Sequence, residues 1–154
     1  MSFTKNTKVW DKIKAQVLSG PEISVDVGWF GVTYGSENDN LPVATVAAMM
    51  EHGHPRDYPP RPFIRQGFVP RLASKEYAPV FKQIAANILE GQGVMSQAHV
   101  LGSLMRKGLQ NEIISWDTPP NSPKTVAEKG FNDPLIETGH MLETVDYRVR
   151  KERA

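Results

Sequence analysis

Five of the twelve prolines fall between positions 55 and 70, and three more between 119 and 123. Proline has no backbone N–H and disfavours helical geometry in the residue before it, so neither stretch can lie inside a continuous helix or a central strand. Every regular element must be fitted around these two interruptions. In the first stretch, 55–70, Pro55, Pro59, Pro60, Pro62 and Pro70 are interleaved with Phe63, Ile64 and Phe68, which are too apolar for a solvated linker. The pattern predicts an extended arm over 59–68 that packs against another subunit. The second stretch, 117–140, is also proline-rich but contains one short helical signal.

Between the interruptions the hydrophobic spacing is regular. Trp10, Ile13 and Val17 mark one face of a short helix stopped by Gly20-Pro21. Ile23, Val25, Val27 and Trp29 alternate with Glu22, Ser24, Asp26 and Gly28, which predicts a strand with one buried face. A polar turn over 35–40 leads to Pro42, placed to open a helix carrying Val43, Val46, Ala47 and Met50 and ending at Gly53. Phe81, Ile84 and Ile88 form a helical stripe broken at Gly91-Gln92-Gly93, and Ala98, Leu101, Met105 and Leu109 form another that runs to Ile113 or Ile114. Ser122 before Pro123 reads as an N-cap with proline in the first turn, and Gly130 as the stop. In the turn Glu137-Thr138-Gly139, glycine permits positive φ and Thr138 can cap the residues that follow. Val145, Tyr147 and Val149 alternate with Thr144, Asp146, Arg148 and Arg150, a second strand expected to pair antiparallel with the first. The class is α+β: a single domain over 1–154, with one small, mostly antiparallel sheet packed by several helices and proline-rich extended arms.

Composition narrows the chemistry. There are no cysteines, which removes disulfides, thiolate metal sites and cysteine nucleophiles, and the formal charge of +1 lacks the basic excess of a free DNA binder. The first residues lack a signal-peptide core and the longest apolar run, 41–50, contains Pro42 and Thr45, so a soluble protein used in a cytoplasm is expected. His52-Gly53-His54 with Asp57 could hold a metal, but two histidines astride a helix end lack the one-turn spacing of a helical site, and no metal or cofactor is expected. Gly91-x-Gly93 follows a helix rather than a strand, so it lacks the dinucleotide-binding context. No nucleophile motif stands out, and Glu137 and Glu143 read as surface carboxylates; the chain is expected not to be an enzyme.

Arg56, Arg61, Arg65, Arg71 and Lys75 make the middle of the chain basic. These side chains can face DNA phosphates or bridge to carboxylates of a neighbouring subunit. Arginine and aromatic residues in a stiff arm favour the protein interface. Pro60, Arg61, Pro62, Phe63, Ile64, Arg65 and Phe68 are the candidate subunit-interface residues. Arg148, Arg150, Lys151 and Arg153 read as a solvated end, with contact to DNA the open alternative.

Two segments carry a family resemblance. One is Met50-Glu51-His52-Gly53 followed by Pro59-Pro60-Arg61-Pro62-Phe63-Ile64-Arg65. The other runs from Trp116 through Pro119-Pro120-Asn121-Ser122-Pro123-Lys124-Thr125 and Gly130 to Asp133-Pro134-Leu135-Ile136-Glu137-Thr138-Gly139-His140-Met141-Leu142. In this order they resemble the neck and tail-completion proteins of tailed bacteriophages, the group of phage lambda's tail-completion protein Z. The chain departs from that pattern at His52 and in the insert from His54 to Tyr58. The resemblance implies a virion structural protein: a ring of six or twelve copies that joins or completes head and tail. Its partners would be itself, other neck, portal-side and tail proteins, and DNA passing through the lumen, with no membrane. It would be found in the virion, and in the host cytoplasm during assembly. A tail-terminator or head-completion ring is the neighbouring alternative; a small metal-dependent hydrolase using His52, His54 and Asp57, or a DNA-binding module, are alternatives of other classes.

Overall fold

The computed structural model describes residues 11, 15, 22–36, 39–55 and 57–152. The expected amino-terminal stripe Trp10, Ile13 and Val17 lies outside the described residues, although Asp11 and Ala15 are helical. The alternating segments form β1 (Glu22–Gly28) and β2 (Asp146–Glu152), paired antiparallel with Val25 opposite Val149 and Val27 opposite Tyr147. A two-stranded ribbon is marginal alone and needs a packed partner. The long helix α4 supplies it; the helices before it are α1 (Val43–His52), α2 (Val69–Arg71) and α3 (Ala78–Glu90), with α4 spanning Met95–Ser115. α4 lies against both strands. Gly102 makes this approach possible, because a β-carbon there would meet the Tyr147 ring.

Two short helices follow, α5 (Pro123–Lys129) and α6 (His140–Glu143). The α5 start is as its residues dictate: Ser122 Oγ accepts from Thr125 N at 3.1 Å, and Gly130 closes the helix at φ 81°. Gly139 takes φ 83°, and the Thr138 hydroxyl accepts from His140 N at 3.3 Å. The core gathers Val43 and Ala47 of α1, Leu109 and Ile113 of α4, and Leu135, Met141 and Val145 around Phe63 and Phe68. Trp29 meets Phe63 edge-on and donates from its indole N–H to Met141 O at 2.7 Å, tying the end of β1 to α6. Among the described residues no helix is long and apolar enough to cross a membrane.

The segment 59–68 corrects the expectation of an extended arm. Its first part is irregular, with a tight turn at Pro62 across which Phe63 N donates to Arg61 O at 2.8 Å. Phe63–Phe68 coils into a π-helical turn that runs directly into α2, with Val69 N donating to Ile64 O. No proline occurs from 63 to 69, so each amide there is free to bond. The Glu51 carboxylate, at the buried end of α1, accepts from Ile64 N at 2.9 Å and from Arg65 N at 3.0 Å. This coiling drives Phe63 (0% exposed) and Phe68 (3%) into the chain's own core. Phe63, Phe68 and Arg61 are therefore internal and closed to another subunit. Pro60 and Arg65 are exposed, and Pro62 and Ile64 are half-buried.

Candidate binding site at Arg61

The irregular stretch before the π-turn is held by Arg61 N donating to Met50 O at 2.8 Å. Prolines on both sides restrict the backbone, and the Arg61 side chain projects inward, only 7% exposed. Its guanidinium donates from Nη1 to Pro134 O and from Nη2 to Asn121 Oδ1, both at 3.0 Å. The two proline-rich segments, distant in sequence, thus meet through one side chain. Asn121 is itself placed by its backbone N donating to Asn132 Oδ1 at 3.0 Å.

Lys129, at the end of α5, secures the same loop from the other side. Its ammonium donates to Asp133 O at 2.9 Å and to Ile136 O, and lies 4.8 Å from the centre of the Phe131 ring. Two cations therefore gather the carbonyls of 133–136. They border a pocket of about 150 Å³ whose walls include Tyr34, Met50, Thr125, Leu135 and the turn Glu137–Met141.

The electrostatics of this pocket are unbalanced. No carboxylate comes within ion-pair distance of Arg61 among the described residues, and burial lowers the Arg61 pKa. Lys129 is also lowered, first by burial and then by Arg61, while Glu137 and Asp133 oppose the shift. Burial, reinforced by the negative charge of Glu137, raises the Tyr34 phenol. An enclosed cation without a counter-ion costs several kcal/mol unless its donors are satisfied. Here they are not all satisfied: Arg61 Nε and Asn121 Nδ2 have no hydrogen-bond partner among the described residues.

The other sequence-derived candidates are distributed differently. His54 Nδ1 pairs with Asp57 Oδ2 at 2.6 Å, whereas His52 is exposed at the end of α1. Among the described residues no three metal-binding side chains come together. Two arginines of the basic stretch use carboxylates of their own chain: Arg65 lies 3.7 Å from Glu51 and Arg71 lies 3.3 Å from Glu112. Arg56 lies outside the described residues, and Lys75 is exposed. At the carboxyl end Arg148, Arg150 and Lys151 are exposed, as expected of a solvated end, and within it Arg150 pairs with Asp26 at 2.7 Å and Arg148 lies 4.3 Å over the Phe30 ring. Arg153 lies outside the described residues. The roles of Asn121 and Lys129 in the pocket are not visible in spacing or periodicity.

The apolar stripe of α3 is only partly covered. Phe81 is 46% exposed, Leu89 is 51% exposed, and Ile84 and Ile88 are half-buried. The residue α3 buries is Asn87, whose amide donates to Gly93 O at 3.1 Å and fixes the turn into α4. Met95 and Val100 of α4 and Ile114 near its end are exposed as well.

Comparison with protein-family models, with characterised proteins and with solved structures gives no match to this chain.

Proposed function

We propose that this chain is a non-enzymatic structural subunit of the neck or tail-completion region of a tailed bacteriophage, assembling into a ring with other copies of itself. The observation that carries the reading is the unfinished apolar surface of α3, where Phe81 and Leu89 stand open on a helix whose stripe is otherwise half-covered. Apolar side chains left open along one helix face supply surface that association can bury. Identical subunits joined head to tail form a ring where the rotation between them closes, which is the symmetry a neck requires. The surface for that contact shifts from the 59–68 segment, whose Arg61, Phe63 and Phe68 are internal, to α3 and its neighbours. The sequence resemblance supports the same reading, since its two motifs meet at the Arg61–Asn121 hydrogen bond and act as one structural unit.

The test is assembly. Light scattering and negative-stain electron microscopy of the purified chain at rising concentration should reveal closed rings, and Phe81→Asp should abolish them without lowering the melting temperature. A chain that stays monomeric at every concentration, and that fails to co-sediment with phage particles made in its presence, would refute the proposal.

A further inference from the structure

We infer that the pocket at Arg61 is a binding site for a carboxylate carried on a short aliphatic stem. The inference is independent of the ring reading. Two unpartnered donors, Arg61 Nε and Asn121 Nδ2, belong to side chains that are both at least nine-tenths buried and both border the pocket. Each requires an acceptor, and a carboxylate offers two oxygens in the planar arrangement that a guanidinium recognises.

Charge selects a monoanion. Glu137 and Asp133 oppose the charge of Lys129, whereas Arg61 has no carboxylate within ion-pair distance among the described residues, so a singly charged ligand matches the one cation left without a counter-charge. The walls select the stem: Met50, Leu135 and Met141 face the same space. One water needs about 10–15 Å³ of such space, so the cavity of about 150 Å³ has room for a group at least the size of a glutamate side chain or a small free acid. The two donors are closed to water, so a ligand that reaches them must displace part of the wall. The turn Thr138-Gly139-His140, which forms that wall, will report the displacement.

The experiment is a titration of the isotope-labelled full chain, followed by its Arg61 Nε–H, Asn121 side-chain amide and Thr138 and Gly139 backbone amide resonances. Sodium butyrate at constant ionic strength should move these signals together and saturate in the millimolar range, while n-butanol and sodium chloride should leave them in place. Lys129→Gln removes a partly exposed charge and should raise the half-saturating butyrate concentration about fivefold, without needing a change at the buried arginine. N-acetyl-glutamic acid amide distinguishes the source. Saturation by it as well as by butyrate supports a glutamate of a partner polypeptide, and saturation by butyrate alone supports a free small acid. The inference is overturned if butyrate gives no saturable shift, if chloride reproduces the shift, if Lys129→Gln binds unchanged, or if inorganic phosphate saturates the same signals at lower concentration than butyrate.

Discussion

Glu51→Gln isolates what a buried carboxylate contributes to the turn that follows the prolines. The two Glu51 oxygens accept separately from Ile64 N and Arg65 N, at 2.9 and 3.0 Å, and the side chain is 8% exposed. A hydrogen bond to a charged acceptor contributes about 1.5–3 kcal/mol, and a buried donor left without an acceptor costs about 1–3 kcal/mol. Glutamine keeps one oxygen but turns an NH₂ group toward the second backbone N–H. One bond weakens from ionic to neutral and the other is lost. The expected destabilisation is about 2–4 kcal/mol, which for a chain of this length lowers the melting temperature by roughly 5–15 °C. The Arg65 guanidinium also approaches Glu51, but at 3.7 Å and 60% exposed it should contribute no more than about 0.5 kcal/mol. Urea unfolding of wild type, Glu51→Gln and Arg65→Ala would separate the two terms. Hydrogen exchange at the Ile64 and Arg65 amides should show protection lost in Glu51→Gln and kept in Arg65→Ala. Glu51→Gln within about 0.5 kcal/mol of wild type, at an unchanged m-value, would refute the account of why this segment coils instead of extending.

Gly139→Val places a β-branched residue at φ 83° and should cost about 1–3 kcal/mol, while Glu137→Gln, exposed beside it, should stay within about 0.5 kcal/mol; equal melting temperatures for the two variants would contradict the turn argument. A β-carbon at Gly108 would collide with the Tyr77 hydroxyl but make ordinary contact with the rest of that ring. Gly108→Ala should therefore destabilise by about 1–3 kcal/mol, and Tyr77→Phe in the same chain should recover part of the loss, as a double-mutant cycle would measure. The Tyr77 phenol, raised first by burial and then by Glu76, binds its proton more tightly folded than unfolded. Stability is unaffected by it below the ordinary phenol value of 10.0 and falls as pH rises past that value. Thermal melts on both sides of that pH should show a shallower alkaline loss in Tyr77→Phe, and identical slopes would exclude this contribution.

What the sequence determined by itself is what depends on neighbours along the chain. The alternation specifies two strands that pair Val25 with Val149 and Val27 with Tyr147, whereas Val145, expected in the second strand, lies just before it in the core. Ser122 with Pro123 and Gly130, and Gly139 in its turn, act through bonds and dihedrals that span only a few residues. Only the tertiary structure decided what depends on partners far away in sequence. Prolines at 59, 60 and 62 argue for extension, but Phe63–Phe68 coils because a carboxylate on α1 collects two of its amides and because the core has room for two phenylalanines. The Phe81 stripe of α3 is locally indistinguishable from the buried stripe of α4; which of them closes depends on what lies across from it. Arg61 looked like a surface cation by type. It is internal because Pro134 O and Asn121 Oδ1 meet it from the other proline-rich segment, more than fifty residues away. No periodicity encodes that meeting, because burial of a charge is decided by the three-dimensional supply of acceptors around it.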